Sequence, residues 1–185
     1  MLKRYFGPQI HHQVHFFVLA LFIIGVVCSK FLMSMGLLLG VLNLLTEGNF
    51  NAYYQRLREN PLILHILLFY GIHLLGISWS HNLDYGLDDI RKKTSLLLIP
   101  LIIGARPVPS PTRWTKLIHY FMLTLVITAI INLIAYHFFA VKLKLIDIRD
   151  MSLFGSHIRY GILIGIGLTF CFERIYTQRK RRNVY

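Results

Sequence analysis

The sequence predicts an all-α, polytopic membrane protein. Its hydrophobic content is higher than that of soluble proteins, and several of its apolar runs are nearly long enough to span a membrane. The chain has 185 residues, of which 55% are hydrophobic and only 15% are charged. Soluble domains are less apolar and carry more charge. The mean hydropathy is +0.55. Several apolar runs approach the roughly 20 residues that a helix needs to cross the hydrocarbon core. No polar stretch is long enough to predict a soluble domain.

The apolar runs predict a single transmembrane helix bundle of roughly six spans. A very tight turn at Ser29 and Lys30 separates the first two runs. The proline-rich stretch 105–115 separates the fourth from the fifth, since proline interrupts helices. The fourth run reaches spanning length only if its helix begins near Leu87, with charged turns in the headgroup region. The predicted spans are residues 14–29, 31–46, 62–79, 87–105, 117–140 and 160–176.

The formal net charge of +12 follows the predicted loops. The basic residues fall between apolar runs and do not form one face, so we expect no nucleic-acid partner. An N-terminus on the inner side gives the inner segments the larger share of Lys and Arg. The positive-inside rule therefore places both termini in the cytoplasm and residues 80–94 and 141–160 outside.

The first outer segment carries acids and bases at helical spacing, three or four residues apart. They are Asp84, Asp88, Asp89, Arg91, Lys92 and Lys93. One interpretation is a solvated face whose charges neutralise one another. The other is that Arg91, Lys92 or Lys93 binds a lipid phosphate. Arg is preferred because its guanidinium can donate hydrogen bonds to two phosphate oxygens at once.

The second outer segment ends in a candidate helix start, with Ser156 as the predicted N-cap. His157 and Arg159 then occupy the first turn, where the helix dipole already favours anions. Alternatively, Arg159 reaches the headgroups by snorkelling and His157 is an ordinary interfacial residue. The candidate phosphate-binding residues are thus Arg91, Arg159, Lys92 and His157.

Other polar residues of the apolar runs predict packing, not chemistry. Those expected to bond a neighbouring helix are His65, His73, His119, His137 and Asn132. The small-residue pairs Gly36–Gly40 and Gly161–Gly165 predict close helix contacts. His11, His12 and His15 have no acid beside them in the sequence and are expected at the membrane interface.

Cys28 and Cys171 lie in apolar runs, which predicts neither a disulfide nor a zinc site. No nucleophile motif, glycine-rich phosphate loop or dinucleotide fingerprint is present. The sequence therefore predicts no metal and no cofactor, and it identifies no catalytic residue.

Four segments together resemble the N-terminal part of the bacterial O-antigen ligase-like family, which includes O-antigen polymerases. In chain order they are SKFLMS, NLLTEGNFNAYYQRLREN, LLFYGIHLLGISWSHNLDYGLDDIRKKTSLLLIPLIIG and FGSHIRYGILI. The resemblance implies a multispan, metal-independent, inverting glycosyltransferase of the bacterial inner membrane. Such enzymes transfer a glycan from undecaprenyl pyrophosphate to a lipid A-core acceptor or to a growing glycan.

The resemblance also implies roles for single residues. Arg91 and Arg159 match the family's outer-face basic positions and are expected to contact the pyrophosphate. The family's candidate general base is a histidine in a large outer loop of its second half, and this sequence has no counterpart. His157 lies in a different part of the pattern and does not replace it.

We therefore expect a truncated chain that is not catalytically complete alone, with a second polypeptide supplying the C-terminal half. Two alternatives remain open. One is a small transporter or channel subunit whose pathway is faced by His65, His73, His119 and Asn132. The other is a non-catalytic remnant of gene decay.

Overall fold

The computed structural model describes residues 7–107, 109–139 and 152–182, and within these ranges the regular structure is helical and contains no strand. The helices are α1 (Pro8–Cys28), α2 (Lys30–Glu47), α3 (Phe50–Glu59), α4 (Pro61–Gly76), α5 (Leu83–Gly104), α6 (Pro111–Phe139) and α7 (His157–Arg182), with a 3-10 turn at Ile77–Trp79. The all-α prediction is confirmed. Most of the predicted second outer loop, 140–151, lies outside the described residues, as do the terminal bases Lys3 and Arg4.

Within the residues that the structure describes, four helices are long and apolar enough to cross a membrane, which supports the prediction of a membrane protein. They are Gln9–Cys28, Lys30–Glu47, Pro61–Trp79 and Pro111–Phe139. These correspond to the predicted first, second, third and fifth spans. The predicted fourth and sixth spans fall in α5 and α7, whose charged turns reduce their hydropathy. The number of spans and the side of the termini therefore stay predictions.

Local sequence explains where several helices begin and end. A single residue, Ser29, separates α1 from α2, which confirms the tight turn. Gly48 ends α2 in the left-handed region, at φ 64°, where glycine has no Cβ penalty. Asn60 precedes α4 and accepts a hydrogen bond from the Ile63 N–H. Asn82 caps α5 in the same way, by accepting from the Tyr85 N–H at 3.0 Å.

The chain forms two compact units. Unit 1 comprises Met1–Leu19 and Met35–Ser110, and unit 2 comprises Ala20–Ser34 and Pro111–Tyr185. In unit 1, α3 packs on α4 and α5, and α4 packs on α5. Gly40 lets α2 approach α5, since a Cβ there would lie 2.8 Å from the Ile102 Cδ1. Close packing predicted from the Gly36–Gly40 pair is thus confirmed at Gly40.

Unit 2 has a core in which α6 packs on α7. Its buried members are Val27, Phe121, Leu125 and Leu163. The close helix contact is at Gly167, where a Cβ would lie 2.9 Å from the Leu125 Cδ1. At Gly161 and Gly165 no described atom lies within 4 Å of that position. The predicted close packing at this pair is wrong, because α7 turns a different face, marked by Gly167, toward α6.

Candidate functional site

The charged segment of α5 forms two ion pairs along the helix. The Lys92 Nζ lies 2.6 Å from the Asp88 Oδ2, and the Lys93 Nζ lies 2.6 Å from the Asp89 Oδ2. The hydrogen bond from Lys92 holds the pKa of the Asp88 carboxyl below its usual range, and Asp88 in turn raises the pKa of Lys92. Lys92 and Lys93 are therefore neutralised locally, as the interpretation of a solvated, self-paired face predicts.

Arg91 differs from its two basic neighbours. Its side chain is exposed, and it forms no ion pair with any residue that the structure describes. Its charge adds to the lowering of the Asp88 pKa without a direct contact. Arg91 is thus the cation of this segment whose guanidinium remains available to an external anion.

Arg159 is half-buried and already has a structural partner. Its Nη2 donates a hydrogen bond to the Val26 carbonyl oxygen at 2.6 Å, and the Met33 Sδ lies 3.9 Å away. Val26 belongs to the last turn of α1, whose carbonyls have no partner inside the helix. A cation there also interacts favourably with the helix dipole. Arg159 therefore caps the C-terminus of α1, a role that the sequence did not reveal.

His157 begins α7 directly after Ser156, as predicted, and its side chain is exposed. His157 and Arg159 belong to unit 2, whereas Arg91 and Lys92 belong to unit 1. The pyrophosphate site that would combine these residues therefore stays a prediction.

A buried polar cluster that the sequence did not predict lies in unit 1. We name it the Glu47 cluster, and it consists of Glu47, Tyr53 and Arg106. The Glu47 Oε2 accepts hydrogen bonds from the Tyr53 hydroxyl and from the Arg106 Nη2. The left-handed turn at Gly48 allows α3 to fold back so that Tyr53 reaches the end of α2. Burial, followed by donation to Glu47, raises the pKa of the Tyr53 hydroxyl above its ordinary value.

Arg106 is the most enclosed member of the Glu47 cluster, with only 4% of its surface exposed. Its Nε and Nη1 are buried and have no acceptor among the described residues. A buried donor left without a partner costs about 1–3 kcal/mol. Nearby, the Arg56 Nη1 donates to the Ala105 carbonyl oxygen at 2.9 Å, which caps the end of α5. Two arginines thus hold the start of the α5–α6 connection.

Two histidines of α1, His11 and His15, are also buried within the protein, while their predicted place at the membrane interface stays a prediction. The His11 Nδ1 donates to the Asn43 Oδ1 at 2.8 Å, and the Asn43 Nδ2 donates to the His11 carbonyl oxygen at 3.2 Å. His15 is 7% exposed and lies within the electrostatic influence of Arg106 and Glu47. The acid near His15 is Glu47 of α2, which is not a neighbour along the chain.

One sequence signal points to the Glu47 cluster. Glu47 is the only acid among the first 58 residues, and it stands at the end of a predicted span beside a glycine. An isolated carboxylate at the end of an apolar helix needs a cationic or hydrogen-bonding partner. The sequence contains twenty Lys and Arg residues, so it does not show which of them is the partner.

The intramembrane polar residues divide into two groups. The His65 and His73 Nδ1 atoms bond the carbonyls of Pro61 and Phe69 in their own helix. We expected both side chains to bond a neighbouring helix, and for their Nδ1 atoms this expectation is wrong. An Nδ1–H donor on a histidine reaches the carbonyl one turn earlier, so the helix satisfies it locally.

Unit 2 confirms the expectation for His119. Its Nδ1 donates to the Thr115 carbonyl oxygen at 2.7 Å, and its Nε2 accepts from the Arg174 Nη1 of α7 at 2.9 Å. The Asn132 Oδ1 accepts from the Leu153 N–H at 3.2 Å, so Asn132 holds the segment before α7. These bonds connect α6 to α7 and to the segment that precedes α7.

Among the described residues, no group of three or more His, Cys, Asp or Glu side chains is placed to hold a metal ion. Cys28 and Cys171 are free thiols. The Cys28 Sγ donates to the Ile24 carbonyl oxygen of the same helix at 3.1 Å. This contact agrees with the expectation that Cys28 is a packing residue.

Comparison of the chain with protein-family models, with curated proteins and with solved structures found no match. The resemblance to the O-antigen ligase-like family therefore rests on the four segments alone, and the activity it implies is a proposal.

Proposed function

We propose that this chain is the N-terminal half of an inner-membrane glycosyltransferase of the O-antigen ligase-like class. In this proposal, Arg91 binds the pyrophosphate of an undecaprenyl-pyrophosphate-linked glycan at the outer face. The observation that carries it is the exposed Arg91 guanidinium, which has no ion pair among the described residues, while Lys92 and Lys93 are paired. A phosphate group would supply the missing counter-charge.

The chemistry fits the residue type. A guanidinium presents parallel N–H donors that match two phosphate oxygens, and it stays charged at every physiological pH. A fixed cation beside the departing pyrophosphate stabilises the charge that develops as the glycosidic bond breaks.

The proposal places six spans in the membrane and both termini in the cytoplasm, which puts Arg91 on the outer side. In this proposal, the group that acts on the bound substrate belongs to the C-terminal half of the enzyme. The 185-residue chain contributes recognition of the lipid-linked donor and a stabilised leaving group.

A binding measurement tests the phosphate role. The chain is reconstituted in nanodiscs, and undecaprenyl pyrophosphate binding is measured for wild type, Arg91→Gln and Lys92→Gln. We expect Arg91→Gln to weaken binding by about tenfold, as for a lost charge-assisted pair. Lys92→Gln is the matched control and should change binding less than about twofold. Equal binding by wild type and Arg91→Gln contradicts the proposal.

The orientation is tested separately. Reporter fusions after residues 82 and 107 should report the outer and the inner side of the membrane, respectively. A cytoplasmic signal from the fusion after residue 82 would remove Arg91 from the outer face, and the proposed site with it.

A small transporter or channel subunit is the second candidate, and the Glu47 cluster favours it. Ionisable groups enclosed at the ends of membrane helices often mark ion or proton pathways. Here Glu47, Arg106 and His15 would line such a pathway, while His65 and His73 bond their own helix. Proteoliposomes with a pH-sensitive dye provide the test. Proton flux that Glu47→Gln removes, combined with normal pyrophosphate binding, would favour this candidate over the first.

A further inference from the structure

An apolar groove lies in unit 2 between α1, α6 and α7. Its volume is about 260 Å³, and all of its ten lining residues are aliphatic or aromatic. Trp114, Leu117 and Phe121 line it from α6, Ile166 and Phe170 line it from α7, and Ile23 lines it from α1. The surface that these side chains present to the groove is apolar, so its natural occupant is a hydrocarbon chain.

The groove runs along a helix that is long and apolar enough to cross a membrane, Pro111–Phe139. Trp114 lies in the first turn of this helix and is 49% exposed. Tryptophan is typical of the boundary between acyl chains and headgroups, where its ring is apolar and its N–H is wet. The Trp114 end of the groove therefore corresponds to headgroup level.

Two arginines lie at this end of the groove. Arg113 precedes Leu117 by one helical turn, and Arg174 follows Phe170 by one turn, so each extends a groove-lining face. Both side chains are exposed. The Arg174 Nη1 donates to the His119 Nε2 at 2.9 Å, which holds this cation against α6. Glu173 is the single acid of α7, and bases outnumber it in this helix.

We propose that this groove binds one acyl chain of an anionic phospholipid, whose phosphate lies between Arg113 and Arg174. A hydrocarbon chain alone would fill the groove equally well from any lipid. The cations at the Trp114 end add the preference for an anionic headgroup, because a base near the membrane surface attracts such lipids. This site is independent of the pyrophosphate proposal, since it uses neither Arg91 nor any other residue of unit 1.

Fluorescence quenching tests the site directly. The chain has two tryptophans, so Trp79→Phe leaves Trp114 as the single reporter. The full chain is reconstituted in phosphatidylcholine vesicles that contain a small fraction of lipid with brominated acyl chains. We expect brominated phosphatidylglycerol to quench Trp114 at a concentration about 25-fold lower than brominated phosphatidylcholine. Each arginine should contribute about fivefold to this preference.

Charge variants assign the preference to the groove. Arg113→Gln with Arg174→Gln should remove the difference between the two lipids. The matched control is Lys116→Gln with Arg179→Gln, which removes the same charge from the same helices but from faces turned away from the groove. The control should keep the difference. Equal quenching by both lipids in the parent, or equal loss in both double variants, overturns the proposal.

Two further outcomes are decisive. Quenching that inorganic phosphate abolishes would assign the cations to a free anion and would contradict a lipid site. Absence of quenching by either brominated lipid would show that no acyl chain enters the groove.

Discussion

Unit 1 contains two acid–base arrangements with the same chemistry and opposite surroundings. The pair of Asp88 and Lys92 links residues four apart on α5, and its side chains are 53% and 70% exposed, respectively. The pair of Glu47 and Arg106 joins residues 59 positions apart, and the Arg106 side chain is only 2% exposed. The first pair lies in water and the second lies largely in protein.

This difference in exposure predicts which pair stabilises the fold and which segment can bind a ligand. Exposed ion pairs contribute little, because water screens them and ordering two long side chains has an entropic cost. Removing one partner of a buried pair is strongly destabilising, because the other charge is left uncompensated. The Glu47 cluster should therefore stabilise unit 1, while the α5 segment remains free for an external ligand at Arg91.

The largest expected effect is from Glu47→Leu. It leaves the enclosed Arg106 guanidinium without its counter-charge and should lower the free energy of unfolding by about 3 kcal/mol. Unfolding in mixed micelles measures this. The double variant with Arg106→Leu should recover part of the loss, since it removes both charges. If the loss in free energy of unfolding of the double variant equals the sum of the losses of the two single variants, the two residues are not coupled and the prediction is contradicted.

Asn43→Leu should have the second largest effect. It removes the two hydrogen bonds with His11 and leaves the buried His11 Nδ1–H without that acceptor, at a cost of about 2 kcal/mol. The same unfolding measurement applies. Ser34→Ala is the control, because the Ser34 hydroxyl is exposed and donates to the Lys30 carbonyl in its own helix. Equal stability of the two variants would contradict the buried assignment.

Tyr53→Phe should cost about 1 kcal/mol, since it removes one hydrogen bond to Glu47. The effect should depend on pH. The folded-state pKa of Tyr53 is raised above the ordinary tyrosine value of about 10. Its contribution is therefore fully present below about pH 10 and is lost as the pH rises further, because only the unfolded chain then ionises. Wild type and Tyr53→Phe should accordingly converge in stability above that pH. A constant difference up to pH 11 would contradict a raised pKa.

The smallest expected effect comes from Lys92→Gln, the exposed counterpart of these changes. Because its pair with Asp88 is solvated, we expect no measurable change in the unfolding midpoint at physiological ionic strength. A loss comparable to that of Glu47→Leu would show that exposure does not govern the two pairs, and the comparison would fail.

Local spacing predicted the exposed arrangement correctly. The pairs of α5 join charges four residues apart on one helix, a spacing visible in the sequence, and the turn at Ser29 follows from the short connection between two apolar runs. The buried arrangement was missed because its partners come from α2, α3 and the end of α5. The contacts of the α1 histidines were missed for the same reason, since their partners are not neighbours in the chain.

The sequence by itself determined that this protein is helical and that several of its helices are apolar enough to cross a membrane, because length and hydropathy are local properties. It also determined which residues can pair along one helix. Only the tertiary structure decided that Arg159 caps α1, that Arg106 pairs with Glu47, and that Arg91 forms no ion pair with the residues described. Such pairings depend on which helix faces pack together. A buried charged group cannot be hydrated, so it pairs with a residue from another part of the chain.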